Sequence, residues 1–159
     1  MQFSIREATP EDYEGLCEVF AEVDAFHREA LPQIFREPDR PARTEGFISS
    51  IISDEHAALF IAERDGQIVG LVRILIREAP DIPLMVPRRY AIIDNLAVAK
   101  PFRRSGVGRS LVGQAHQWAL NQGITQVELN VWEFNKGAMA FYERLGYATA
   151  SRRMWKSLG

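Results

Sequence analysis

At 159 residues, with 47% apolar and 25% charged side chains, the chain has the length of one domain and an ordinary globular composition, which excludes a disordered, collagen-like or repeat-array polypeptide. Its 19 Lys and Arg against 21 Asp and Glu leave a formal charge of −2, without the bulk basic character of a non-specific nucleic-acid binder. Cys17 is the lone cysteine and allows no intrachain disulfide; with no basic leader before an apolar stretch and no apolar run of about 18 residues, a cytoplasmic protein without nucleic-acid or membrane partners is expected.

Phe3, Ile5 and the following Glu7-Ala8 predict a short opening strand, and Thr9-Pro10-Glu11-Asp12 predicts a helix start. Thr9 is a capping residue, proline suits the first helical position, and a carboxylate at Asp12 favours the positive end of the helix dipole. Leu16, Val19, Phe20 and Val23, with Phe26 or His27 beyond, form the apolar stripe, and Cys17 is a buried thiol beside it. Pro32, Pro38 and Pro41 make residues 31–41 an irregular loop, after which Phe47, Ile48, Ile51 and Ile52 give Thr44–Ser53 a second helix. Ala57–Glu63 and Gln67–Ile76 read as strands joined by an Asp65-Gly66 hairpin turn. A proline-interrupted loop over 78–88 leads to a largely apolar strand, Tyr90–Val98.

Beyond Pro101 and a charged turn, Val107, Leu111, Val112, Ala115 and Ala119 mark the buried face of a helix from about Gly106 to Leu120, stopped at Asn121-Gln122-Gly123. Thr125–Trp132 alternates Val127, Leu129 and Val131 with Glu128 and Asn130, as a half-buried strand does. Asn135 caps a last helix through Leu145, Gly146 closes it, and Tyr147–Trp155 is expected to form a final strand. The order β α α β β β α β α β predicts a mixed α/β fold over 1–159 as a single domain, with a central, mostly antiparallel sheet flanked by helices. The helical crossover near 106–121 makes strands 90–98 and 125–132 parallel neighbours.

The most informative stretch is Lys100-Pro101-Phe102-Arg103-Arg104-Ser105-Gly106-Val107-Gly108-Arg109-Ser110, which carries four basic residues and no acidic one between a strand and a helix. Two glycines allow a tight turn that brings N–H groups close to a ligand, and the helix N-terminus adds partial positive charge. A phosphate or pyrophosphate is the natural occupant. Gly-x-Gly in this place also opens the dinucleotide fingerprint, with Glu128 about 20 residues on, but the third glycine position holds Leu111. The Walker pattern is absent as well, so the turn binds phosphate in neither common nucleotide mode.

Arg103-x-x-Gly106-x-Gly108 resembles the pyrophosphate loop of the GNAT-superfamily N-acetyltransferases, and Asp94-Asn95-Leu96-Ala97-Val98 looks like the strand that precedes it there. Asn135-x-x-Ala138-x-x-Phe141-Tyr142-x-x-x-Gly146-Tyr147 is similar to that family's acceptor-side helix motif. The resemblance covers essentially the whole chain. It implies acetyl transfer from acetyl-CoA to an amine acceptor in a ternary complex, on a sheet whose two central parallel strands splay apart. Arg103, Arg104, Ser105, Gly106, Val107, Gly108 and Arg109 would hold the pyrophosphate, and the backbone of Leu96, Ala97 and Val98 would pair with the pantetheine arm. The Val98 N–H would then polarise the thioester carbonyl, while Asn135 and Tyr142 would also border the cofactor.

An ammonium acceptor must lose a proton before attack, and the departing thiolate is best protonated. By resemblance Tyr142 faces the CoA sulfur and suits the second task; by its own pattern it is also a packing aromatic beside Phe141 and Leu145. Asp94 interrupts an apolar strand, so it reads either as a desolvated carboxylate with a raised pKa, fit for a base, or as one bonded by neighbours or facing solvent. Ordered water is a third route for that proton. Glu128, Asn130 and Trp132 share a strand face that either lines the acceptor side or is simply wet. His27 lies where the acceptor groove would form, while His56 and His116 fit no metal-ligand spacing, and no metal is expected. Acidic Glu22, Asp24, Glu29, Glu37 and Asp39 near the first proline loop either attract a cationic acceptor or are simply solvated surface charge. The alternative to an enzyme is a non-catalytic CoA-binding or sensing module, and a homodimer is the commonest oligomer for either.

Overall fold

Five strands, β1 (Ser4–Glu7), β2 (Ala57–Arg64), β3 (Gln67–Glu78), β4 (Arg89–Val98) and β5 (Val127–Leu129), lie side by side in that order in the computed structural model, which describes residues 2–159. The first three pairings are antiparallel and the last is parallel, which is the mixed, mostly antiparallel sheet expected. Asp65 and Gly66 take φ of 51° and 77°, the left-handed pair that a two-residue hairpin needs to follow strand twist.

Four helices cover the sheet: α1 (Tyr13–Ala30), α2 (Glu45–Ile52), α3 (Val107–Asn121) and α4 (Lys136–Arg144). A 3-10 turn at Pro10–Asp12 leads into α1, and Asp12 accepts the Thr9 backbone N–H at 2.8 Å as predicted for the helix start. Thr44 caps α2 by accepting the Phe47 N–H at 3.1 Å, and Asn135 caps α4 by accepting the Ala138 N–H at 3.2 Å. Strand alternation sorts the core into two layers. Phe60, Val72, Ile74, Ala91 and Ile93 meet Val107, Leu111, Val112, Ala115 and Ala119 of α3. On the opposite face Leu59, Ile61, Leu71 and Ala97 meet Leu16, Val19 and Phe20 of α1 and Ile48 and Ile51 of α2. Cys17 is only half-buried, its Sγ 4.0 Å from the Arg43 carbonyl.

A glycine on the strand, rather than on the helix, lets α3 sit close. A Cβ at Gly70 would lie 3.0 Å from both the Ala97 carbonyl oxygen and Leu111 Cδ1, and 3.1 Å from Val107 Cγ1. Leu111, which broke the dinucleotide fingerprint, is fully buried against this spot.

Two expectations are corrected. The strand expected over 125–132 is confined to 127–129, because the chain beyond Leu129 turns away, with the Asn135 N–H bonding the Trp132 carbonyl at 2.9 Å. Tyr147–Trp155 forms no strand. After Tyr147 bonds back to the Tyr142 carbonyl, residues 148–159 are exposed and make no further backbone hydrogen bond among the described residues. With β5 ending at Leu129 the edge they could join is only three residues long, and Ser151-Arg152-Arg153 offers no apolar alternation to bury.

Candidate active site

The site starts from one extra residue in β4. The β3 register pairs Arg73 with Asn95 and Ile74 with Ile93, so Asp94 has no partner opposite it. This bulge reverses the strand's faces: Ile93 points to the α3 side, whereas Ala97 points to the α1 and α2 side. Parallel pairing with β5 holds over Ala91↔Val127, Ile92↔Glu128 and Ile93↔Leu129 and stops at the bulge. A bulge bends and twists its strand, and from Asp94 onward β4 leaves β5, opening the splay expected between the two parallel strands.

The pleat then determines which backbone groups face that gap. The Ala99 N–H bonds the Val69 carbonyl at 2.8 Å, and since bonded and non-bonded pairs alternate, Leu71↔Ala97 is bonded while Gly70↔Val98 and Val72↔Leu96 are not. The N–H and C=O groups of Leu96 and Val98 therefore face away from β3, into the gap. The Ala97 backbone is committed to β3 and its side chain is buried, which leaves the Leu96 backbone and the Val98 N–H facing the gap.

At the end of β4 a 3-10 turn, Lys100–Phe102, leads into the glycine turn. Arg103 folds back, its Nε donating to the Val98 carbonyl at 2.9 Å and its Nη2 3.8 Å from Glu22, which also accepts the Lys100 N–H at 3.0 Å. Arg104 and Gly106 take φ of 61° and 89°, and the Ser105 hydroxyl donates inward to the Phe102 carbonyl. The consequence is a row of N–H groups, from Arg104 to Arg109, with no acceptor in the protein among the described residues. They lie at the N-terminus of α3, whose first turn holds no acid, and the exposed Arg104 and Arg109 have no ion-pair partner there. The donor set suits a pyrophosphate. Val107 contributes its N–H alone, because its side chain is in the core. Gly108 sits beside α4 and the end of β4: a Cβ there would make ordinary contact with Phe141 Cζ at 3.4 Å and Val98 Cγ2 at 3.6 Å.

The gap widens into a cavity of about 420 Å³ between the C-terminal half of α1, the first proline loop, β4 at the bulge, residues 130–135 and α4. Asn130 and Trp132 reach it, whereas Glu128 turns outward to Arg88 at 3.0 Å, so the two readings of that strand face divide between its residues. Tyr142 lines it from α4. Burial, with the neighbouring Tyr147 adding to it, pushes its phenol up to about 12, so the hydroxyl keeps its proton throughout the neutral range. Its ring packs edge-on to Phe141 and Tyr147 at 5.3 and 5.6 Å. The Oη has no protein partner among the described residues, yet solvent reaches it from the cavity. Behind it the Tyr147 hydroxyl meets His116 Nε2 at 2.6 Å.

Asp94 lines the same cavity, and of its two readings the bonded, solvent-facing one matches the structure. Its side chain is 34% exposed and accepts from Arg73 Nη1 at 2.6 Å across the bulge. His27 is the residue the cavity brings forward. Its Nδ1 lies 2.8 Å from the Val23 carbonyl, one turn back in α1, and a carbonyl oxygen only accepts; this puts a proton on Nδ1, while Nε2 has no partner in the protein among the described residues. Phe26, Phe35 and Phe134 hold the ring, with centroids 5.9, 5.6 and 5.6 Å away. Asp24, His27 and Arg28 share one α1 face at i, i+3 and i+4 spacing, and all three line the cavity. Among the described residues no cluster of three His, Cys, Asp or Glu side chains could hold a metal ion, and no helix is long and apolar enough to cross a membrane.

The model of the family described as "Acetyltransferase (GNAT) family" matches residues 20–147. The rat protein named N-acetyltransferase family 8 member 3 is 30% identical over 96 residues, covering 60% of this chain and 40% of that relative, so the chain spans less than half of the relative's length. Among solved structures, a Bacillus halodurans protein crystallised as a tetramutant superposes with a TM-score of 0.92 at 25% identity, covering 98% of this chain and 99% of the other. An aminoglycoside N-acetyltransferase, AAC(6')-Iy, in complex with CoA superposes with a TM-score of 0.74 over 99% of this chain and 95% of its own; at 17% identity the likeness is one of fold.

Proposed function

The chain belongs to the acetyltransferase (GNAT) family, and from that premise we propose that it transfers an acetyl group from acetyl-CoA to a primary amine by direct attack in a ternary complex. The observation that carries this reading is the continuity of the site. The Leu96 backbone and the Val98 N–H, which β3 leaves unpaired, run from the row of free N–H groups at Arg104–Arg109 to a cavity bordered by Tyr142 and His27.

Acetyl-CoA supplies an activated acyl carbon on a sulfur leaving group. The Arg104–Arg109 N–H groups and the Arg104 and Arg109 side chains hold its pyrophosphate, and Arg103 shapes the turn from behind through Val98 and Glu22. Leu96 and Val98 take the pantetheine amides as an added strand would, with Asn135 at the head of α4 bordering it. The Val98 N–H, fixed by the sheet, donates to the carbonyl oxygen as negative charge develops there. His27 Nε2, directly or through water, takes the proton that the attacking nitrogen must lose. Asp94, held by Arg73, shapes the acceptor side instead of acting as the base. The new N–C bond forms as the C–S bond breaks, and the Tyr142 hydroxyl donates to the departing sulfur. A phenol near 12 is a weak acid, but the burial that raises it also raises a thiol in the same place, which keeps the two matched.

The test is purified protein with acetyl-CoA and a panel of amines, following free thiol and the acetylated amine by mass. Thiol release above the hydrolysis background, matched by acetylated product, is expected. CoA binding without turnover on any amine would refute acetyl transfer and mark a non-catalytic CoA-binding module.

A further inference from the structure

The charges around the acceptor cavity do not suit a polycation. Two carboxylates line it, and each is already neutralised by an arginine. Arg43 forks onto Asp24, with Nη1 to Oδ2 at 2.7 Å and Nη2 to Oδ1 at 3.2 Å, and Arg73 holds Asp94 at 2.6 Å while also standing 3.7 Å from Asp54. Two further arginines on the lining, the half-buried Arg28 of α1 and the exposed Arg36 of the proline loop, have no acidic partner among the described residues. Of the other acids that made a cationic acceptor attractive from sequence, Glu22 is bound to Lys100 and Arg103, and Glu29, Glu37 and Asp39 are not on the lining. The lining therefore carries two unpaired guanidinium groups and no unpaired carboxylate among the described residues. Its remaining wall is aromatic, with Phe35 and Trp132 edge to face at 5.9 Å and His27 beside them.

We propose that the acceptor is an amine that also carries a carboxylate and an apolar body, held by Arg28 and Arg36 at the carboxylate and by Phe35 and Trp132 at the body. This rests on the acetyl-transfer reading and narrows it to a substrate class. Guanidinium groups match carboxylates in shape and charge and lose less hydration than an ammonium on binding. Polyamines and aminoglycosides meet uncompensated positive charge at the same place.

The experiment has two arms on the full chain with CoA present. The first is calorimetric binding of phenylalanine, its methyl ester, phosphoethanolamine, spermidine and an aminoglycoside; the second is thiol release with acetyl-CoA and the same amines. Phenylalanine is expected to bind about tenfold or more tighter than its ester, as one charge-assisted contact warrants, and tighter than either polycation. In the Arg28→Gln, Arg36→Gln double variant the acid-to-ester ratio of Kd, and of KM where turnover is seen, should collapse toward one. Neither arginine has a partner to orphan, so the variant should fold, as its melting curve will report. Ester or polycation binding as tight as the acid, a ratio untouched by the double variant, tighter binding of phosphoethanolamine, or no binding of any amine would each overturn the proposal. An intact acid preference without thiol release would overturn acetyl transfer alone; turnover without that preference would overturn only the substrate class.

Discussion

Replacing Tyr142 with phenylalanine separates chemistry from structure with unusual clarity, because the hydroxyl contributes to one and not the other. Its Oη has no partner in the protein among the described residues, while the ring packs against Phe141 and Tyr147. Phenylalanine keeps the ring and orphans no donor or acceptor, so stability should stay within about 0.5 kcal/mol of the parent. A hydrogen bond to a charged partner contributes about 1.5–3 kcal/mol, and if the departing sulfur is that partner its loss lowers kcat by about 10–150-fold. KM for acetyl-CoA should change little, since the pyrophosphate and pantetheine contacts lie elsewhere. Steady-state thiol release, calorimetric CoA affinity and a urea unfolding curve on the same preparation supply the three numbers. A kcat within threefold of the parent would refute the donor role, and a matching loss of stability would show that the hydroxyl had a structural partner after all. Because the phenol is pushed up to about 12, the parent's kcat should also show no alkaline fall from this group up to about pH 10.

Gly106→Ala should weaken CoA binding and cost about 1–2 kcal/mol of stability, read as a lower Tm; φ of 89° is the reason, since a Cβ there meets nothing within 4 Å. Gly70→Val should cost about 1–3 kcal/mol by pushing α3 off the sheet, with CoA affinity falling as the N–H row moves; an unchanged melting curve would contradict the packing described. Burial lowers the His116 pKa below 6.5, so between its folded and unfolded values the unfolded chain binds the extra proton. Stability from this group is complete above about pH 6.5 and declines as pH falls through the window beneath it. Denaturant midpoints measured from about pH 7.5 down to pH 5 should show that decline in the parent and less of it in His116→Gln.

The opening β α α β β β α β α was legible because each element carries its own periodicity, and capping residues such as Thr44 and Asn135 do their work within one turn. The glycine turn was legible for the same reason: a basic, acid-free Gly-x-Gly between strand and helix is a local statement about backbone and charge. The final strand failed because strand formation needs an edge to pair with, and β5 offers one only three residues long. Asp94 drew attention as a charge in an apolar strand, but its two readings could be separated only by Arg73, 21 residues earlier and directly across the bulge. Ala97 was expected to share the cofactor with its neighbours, and only the pairing register with β3 assigns its backbone to the sheet.

Sequence alone thus determined the elements through the last helix, their order and the anion-seeking turn, all of which depend on residues within a few positions of one another. Tertiary structure decided where β4 parts from β5, which backbone groups face the gap, and the sign of charge in the acceptor cavity. An acidic stretch around the first proline loop was equally consistent with a site for cations and with solvated surface charge. Folding paired Asp24 with Arg43, bound Glu22 beneath the glycine turn and left Arg28 and Arg36 free, because net charge belongs to a chain while local potential belongs to the distances between its charges.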